Sequence, residues 1–310
     1  MDIAEDFMDS FLAAYPQASS GNLNMKELDS LMAEHQKTLN NMPLDDFDGL
    51  HSEQMANLLN APFTAGSILK FRKGLDEHVD QVPFFKLSEL LLDEIQKSGS
   101  IKLTKIGNLP TSICEMLYGQ DLIELRGKEF IGRIMEDNIP YLWPLKQYII
   151  DSGIVKKRHN VLTLTKQGEK MMKSPKAERF VSVFTYMSSR FNWSNFYDND
   201  DEGRCGQFGW PFSLVLLSKY GDTPRESQFY STKLIQAFDV TLWKIYLEVR
   251  DKRILDEDQR AYDYRFFENF ATWFGLVNIQ RKTDHSISYR SQLTITKSPL
   301  FDQIFEVKSS

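Results

Sequence analysis

Asp151-Ser152-Gly153-Ile154-Val155-Lys156-Lys157-Arg158-His159-Asn160-Val161-Leu162-Thr163-Leu164-Thr165-Lys166-Gln167-Gly168 is the stretch that decides how this chain is read. Upstream of it, Leu145, Tyr148, Ile149 and Ile150 fall at helical spacing in a segment that starts at Trp143. That helix should stop at Asp151-Ser152-Gly153, because glycine accepts the left-handed conformation that closes a helix. Ile154-Val155 and Val161-Leu162-Thr163-Leu164 are short β-prone runs that can pair across a polar tip, Lys157-Arg158-His159-Asn160. Thr165 then stands where a hydroxyl can accept from the first free amides of a helix over Lys166 to Met172.

The C-terminal part follows the same order. Phe266, Phe267, Phe270, Trp273 and Phe274 lie on a helix ending at Gly275, and Leu276-Val277-Asn278-Ile279 alternates as a strand. A longer hairpin through Asp284-His285-Ser286 returns as Ser291-Gln292-Leu293-Thr294-Ile295. Thr296 takes the capping position that Thr165 holds in the first unit, and Leu300, Phe301 and Ile304 follow on a last helix. Leu103-Thr104-Lys105, Leu164-Thr165-Lys166 and Ile295-Thr296-Lys297 share an apolar-Thr-Lys signature, which reads as an internal repeat.

Working outward, 310 residues give room for two domains or three small ones. With 42% apolar residues the chain can build real cores, so disorder is not the default. Apolar runs such as Phe212-Ser213-Leu214-Val215-Leu216-Leu217 fall far short of the roughly 20 residues of a membrane helix. The first residues are acidic where a secretory leader would be basic, and two cysteines, Cys114 and Cys205, make no disulfide framework. A cytoplasmic location is the expectation. The fold expected is α+β and predominantly helical, with two winged-helix-like units carrying small hairpins and joined by a helical segment. Its expected divisions are an acidic helical arm over 1–80, a first winged-helix-like domain over 81–179, and a helical domain over 180–310 that ends in the second such unit. In the arm, Phe7, Phe11 and Leu12, then Met25, Leu28, Leu31 and Met32, mark helices, and Ser52 is placed to cap another. In the joining segment, Phe180, Val181, Phe184 and Met187 share one helical face, and Leu234, Ile235, Phe238, Leu242, Ile245 and Tyr246 another.

The run from Ser152-Gly153-Ile154-Val155 to Leu162-Thr163-Leu164-Thr165-Lys166-Gln167-Gly168 resembles the wing of bacterial winged-helix proteins of the multiple-antibiotic-resistance regulator type, over about thirty residues. Leu103-Thr104-Lys105-Ile106-Gly107-Asn108-Leu109-Pro110 resembles a segment of uncharacterised bacterial proteins that accompany plasmid open-reading-frame domains. The first resemblance implies a DNA-binding fold, and the second implies no established activity. Such regulators carry polar and basic residues on the helix before the wing, and this chain departs from that pattern.

Charge is unevenly spread. Residues 1–96 hold 6 Lys and Arg against 17 Asp and Glu, residues 97–179 hold 15 against 9, and residues 180–310 hold 16 against 17. Only the middle segment would attract phosphate. Its candidate nucleic-acid contacts are Lys146 on the helix, Lys156, Lys157, Arg158 and His159 at the wing, and Lys166 beyond it. Two readings stand at this point. One is a non-enzymatic regulatory protein that binds nucleic acid, with DNA as partner, weakly through the basic wing. The other is a scaffolding module that binds a protein partner or itself, through aromatic surfaces near Phe266–Phe274, with no nucleic-acid contact. No membrane partner, metal or other cofactor is expected. Asp198-Asn199-Asp200-Asp201-Glu202-Gly203 begins like a calcium loop, but position 12 is Gly209 where a Glu is needed. Cys205 lies between Arg204 and Gly206, a setting that would expose and activate a thiol if a base stood near. The five histidines have no metal-ligand spacing, and no nucleophile elbow occurs.

Overall fold

In the computed structural model, residues 3–20, 23–125, 128–196, 204–238, 252–283 and 291–308 are described. The expected calcium-like loop, the second hairpin tip at 284–286, and Leu242, Ile245 and Tyr246 lie outside them. The protein is α+β and mostly helical, with small antiparallel sheets of two or three strands. Its chain divides into two compact units, the first ending at Ile68 and the second running from Leu69 to Lys308.

The first unit holds helices α1 (Ile3–Ala14), α2 (Met25–Asn40) and α3 (Ser52–Asn60). Asn24 and Glu27 form a reciprocal capping box at the start of α2, which satisfies two amides that would otherwise lack partners. The cap of α3 is His51, not Ser52: its ring nitrogen accepts from the Gln54 amide while the Gln54 side chain accepts from the His51 amide. Ser52 is the first residue inside that helix. α1 and α2 meet where the rings of Phe7, Phe11 and Tyr15 surround the buried His35, whose Nε2 lies 2.9 Å from Ser10 Oγ.

The second unit is closed at its two ends by one ladder. Strand β1 (Leu69–Phe71) pairs antiparallel with β8 (Phe305–Val307), Leu69 opposite Val307 and Phe71 opposite Phe305. Between them the chain runs through α4 (Pro83–Ser98), β2 (Ile101–Lys102), α5 (Thr111–Tyr118), α6 (Leu142–Asp151), the hairpin β3 (Val155–Arg158) and β4 (Val161–Leu164), and α7 (Lys166–Met171). After α8 (Lys176–Ser189) and one kinked turn, α9 (Arg204–Gln207), the same order returns. It comprises α10 (Trp210–Tyr220), β5 (Arg225–Glu226), α11 (Ser227–Ala237) and α12 (Lys252–Tyr262) with a π-helical continuation over Asp263–Ala271. The hairpin β6 (Val277–Thr283) and β7 (Ser291–Lys297) and the helix α13 (Pro299–Ile304) complete it. Helix, strand, helix, helix, hairpin, helix therefore occurs twice. Both three-stranded sheets place the hairpin's second strand in the middle: β2-β4-β3 and β5-β7-β6.

The closing contacts of the two hairpins are equivalent. Gly153 and Gly275 both have positive φ, +73° and +67°, as the sequence predicts for helix ends. The Thr165 hydroxyl donates to the Gly153 carbonyl at 2.7 Å, and the Ser298 hydroxyl donates to the Gly275 carbonyl at 2.5 Å. The Thr165 amide bonds to Ile154 O and the Ser298 amide to Leu276 O. Ser298, not Thr296, is thus the counterpart of Thr165, because β7 runs on to Lys297 and keeps Thr296 in the ladder opposite Asn278. The shared apolar-Thr-Lys signature does not mark one structural role: Thr104 closes a turn, Thr165 caps a helix and Thr296 sits in a strand.

The core between the repeats is aromatic. Phe184 of α8 meets the rings of Phe71, Phe180, Trp210, Phe270, Phe274 and Phe305 at centroid distances of 5.0–5.8 Å, a range in which tilted and edge-to-face pairs are favourable. Phe266, Phe267, Phe270, Trp273 and Phe274 are all buried, so they form no aromatic surface for a partner. The π-helical stretch Asp263–Ala271 ties them into this core: Phe270 and Phe274 meet Phe184, Phe266 stacks on Tyr262, and Phe267 meets Tyr262 edge to face.

Candidate nucleic-acid interface

Strand β3 carries one valine and three cations, and the pleat sorts them. Side chains directly opposite one another in an antiparallel ladder share a face. Val155 and Lys157 stand with Leu164 and the buried Leu162, whereas Lys156 and Arg158 stand with Thr163 and Val161. The third strand extends that outer row, since Lys102 pairs with Val161. Lys102, Lys156 and Arg158 therefore lie on one open face of the sheet β2-β4-β3, and all three are exposed. Among the described residues none of them has an ion-pair partner.

The hairpin turn is His159-Asn160 alone, two residues shorter than the expected four-residue tip. Both have positive φ, +50° and +57°, the geometry of the tight turn whose twist matches paired strands. Asn adopts it readily, and His is among the residues enriched there. Pairing therefore continues out to Arg158, opposite Val161, and fixes that cation in the ladder.

A second turn, Thr104–Asn108, lies against this tip. Gly107 N bonds to Thr104 O at 2.9 Å, Thr104 N to Asn108 O at 2.8 Å, and Asn108 N to Thr104 Oγ1 at 3.0 Å. Leu103 N bonds to Asn160 O at 2.7 Å, and Asn160 Nδ2 reaches the Thr104 and Lys105 carbonyls at 3.4 Å. Lys157 Nζ lies 3.1 Å from the place a Cβ on Gly107 would take. Lys105 and Ile106 project from this turn, Ile106 being 80% exposed. The exposed Asp137 accepts from Asn108 Nδ2 at 2.9 Å and is the acidic group nearest to the turn in the hydrogen-bond network.

Lys146 does something other than expected. It is 3% exposed, its ammonium pairs with the buried Glu136, and it donates to Gly107 O at 2.9 Å. The second oxygen of Glu136 accepts from Leu109 N at 2.7 Å. Lys146 thus anchors the turn from inside and offers no charge to solvent. Helix α6 as a whole faces inward: Leu142, Pro144, Leu145, Lys146, Tyr148 and Ile149 are buried. Lys156, Lys157, Arg158 and His159 are brought together and exposed. Lys166 is exposed too, but it follows the far end of β4, about 13 Å along the strand from the turn. Sequence reasoning passed over Lys102, Lys105 and Ile106. The alternation Ile101 in, Lys102 out, Leu103 in carried a signal for the first of these, and nothing in the periodicity marked the other two.

The thiols do not form a reactive site. Cys205 is 1% exposed and its Sγ donates to Asp258 O, contrary to the exposure expected from its glycine neighbour. Burial, and then the nearby Glu136 charge, push the Cys114 thiol up to about 11, which leaves it protonated and unreactive at neutral pH. A groove of about 290 Å³ runs along α8 past Ser152, Glu178, Ser182 and Arg190. Its Tyr186 hydroxyl is engaged with Asp151 at 2.6 Å, and no nucleophile and base converge there. Among the described residues no helix is long and apolar enough to cross a membrane. No protein-family model matches the chain, and neither does any curated protein or solved structure.

Proposed function

We propose that this chain is a non-enzymatic, cytoplasmic interaction protein whose first repeat is a winged-helix module that binds nucleic acid through phosphates. The contact is made by the hairpin and not by the helix before it. One observation carries the reading: Lys102, Lys156 and Arg158 share an exposed sheet face with no carboxylate paired to them, and Lys105, Lys157 and His159 stand at its edge. Unpaired cations on a fixed surface are what a phosphate backbone selects. Base reading through the major groove needs an exposed helix with polar side chains, and α6 has its polar lysine buried. The binding is accordingly weak, salt-dependent and indifferent to sequence.

The test is fluorescence anisotropy with a labelled duplex, titrated across a salt series. With about 3 to 5 phosphates neutralised, the logarithm of the association constant should fall with log salt at a slope of roughly −2.7 to −4.5. The double variant Lys156→Ala, Arg158→Ala should lower that slope by about 2. Absence of duplex binding at low salt overturns the reading.

A further inference from the structure

We infer that Ile106 is an apolar prong that enters the minor groove of duplex DNA when the basic hairpin docks. This rests on the nucleic-acid reading above and adds to it a duplex, a groove and a residue.

Ile106 is 80% exposed, and no other large apolar side chain among the described residues is more so. It does not sit on a loose loop. The turn that carries it is closed by the Thr104 carbonyl and hydroxyl, leaned on by Asn160, and held from below by Lys146 through the Gly107 carbonyl. A buried ion pair is a costly way to fix one carbonyl, and here it fixes the base of the turn that presents an isoleucine to solvent. The side chain is itself stiff, because branching at Cβ restricts χ1. Near it on the hairpin side are the cations Lys105, next in sequence, Lys157, against Gly107, and Arg158 at the neighbouring tip, while the carboxylate of Asp137 is engaged by Asn108 at the other end of the turn.

An apolar group flanked on its hairpin side by positive charge matches a partner that offers an apolar cleft beside rows of negative charge. The duplex minor groove is such a cleft, and apolar side chains are wedged into it elsewhere in protein–DNA recognition.

The experiment uses the full chain, wild type and Ile106→Ser, against a duplex carrying a fluorophore pair at its ends, with a single strand of the same sequence alongside. Circular dichroism melts check that Ile106→Ser, a change at an exposed position, leaves the fold intact. The expected result is about tenfold weaker duplex binding by the variant, the size of one isoleucine returned to water. The salt slope should be unchanged, and any bend reported by end-to-end transfer should be lost. Equal affinity of variant and wild type for the duplex overturns the prong and leaves the phosphate reading standing. So does single strand bound as tightly as duplex by both proteins. No duplex binding by the wild type at low salt overturns both readings, and recovery of the protein on phosphatidylserine vesicles under the same conditions would then assign the tip to a lipid surface.

Discussion

The two repeats share a plan and differ in what they do with charge. In the first, the buried cation Lys146 is answered by the buried Glu136, and the remaining cations of the sheet stand open. In the second, Arg281 is 3.5 Å from Glu268 and Lys297 is held by Asp222 and Asp302, so two cations of that hairpin are answered by carboxylates while Lys282 on β6 stands exposed. The helix before the first hairpin is built around leucine, tyrosine and isoleucine. Its counterpart in the second, the π-helical stretch, is built around phenylalanine. The topology fixes which residues close the core, and the surface charge is then free to diverge. The contact proposed above with an anionic partner is assigned to the repeat in which more of the exposed cations lack an ion pair among the described residues.

The largest effect should come from breaking the buried Lys146–Glu136 pair of the first repeat. Glu136→Ala strands the Lys146 ammonium in a site that is 3% exposed, and stranding a buried charge costs about 3–5 kcal/mol. Urea denaturation would show it as a shift of the midpoint. The corresponding change in the second repeat, Lys297→Met, should cost roughly 1 kcal/mol or less, because its partners Asp222 and Asp302 are largely exposed and rehydrate. Equal losses would mean that the two lysines do the same job and that the contrast drawn between the repeats is wrong.

How far the sequence reached can be followed through single residues. Gly153, Thr165 and the hairpin between them were legible because each is a short-range signal: a left-handed closing residue, a capping hydroxyl, two β-prone runs. Ser298 was not, because its role depends on where β7 stops, and strand length is set by pairing with β6, not by the composition of β7. Lys146 lies four residues after Leu142 and three before Ile149, which places it on the buried stripe of α6. That much could have been read. Its partner Glu136 sits in a separate turn before the helix, and only the folded chain brings the two together. The aromatic run Phe266–Phe274 misled in the opposite direction. Dense aromatics fit a docking surface as well as a core, and burial alone decides between them.

A second prediction concerns pH and belongs to the second repeat alone. Asp263 opens the π-helical stretch, with one oxygen accepting from the Ser227 hydroxyl at 2.8 Å and the other sealed from solvent without a partner. Burial is the main cause that pushes its carboxyl from 3.8 up to about 7, against the lowering effect of Ser227. The folded state therefore holds this proton more tightly than the unfolded one. The associated stability is fully present below about pH 4 and is lost as pH rises toward 7. Asp263→Asn should match the wild type near pH 4 and exceed it at pH 8, by a ceiling of about 4 kcal/mol set by the size of that shift. Thermal melts of both proteins between pH 4 and 8 measure it. A variant that is less stable than wild type at pH 8 would show that the charged carboxylate is stabilised by something other than Ser227.

The smallest effect tests the equivalence of the two closing hydroxyls. Thr165 and Ser298 donate to Gly153 and Gly275 in the same way, but only Thr165 also accepts from an amide of the following helix, that of Gly168 at 3.0 Å. No side-chain cap is made by Ser298, whose helix begins with Pro299. A proline at the first helical position has no amide to satisfy and is already set at the helical φ. Thr165→Ala should therefore cost about 1–2 kcal/mol, the loss of a cap together with a hydroxyl–carbonyl bond, and Ser298→Ala about 0.5–1 kcal/mol, the loss of that bond alone. The difference reflects how each repeat begins its last helix: the first depends on a side chain to satisfy the opening amides, whereas the second removes one of those amides by its choice of residue. Equal costs in denaturant titrations would place the stabilisation in the shared bond to glycine, and would make the capping amide at Gly168 energetically silent.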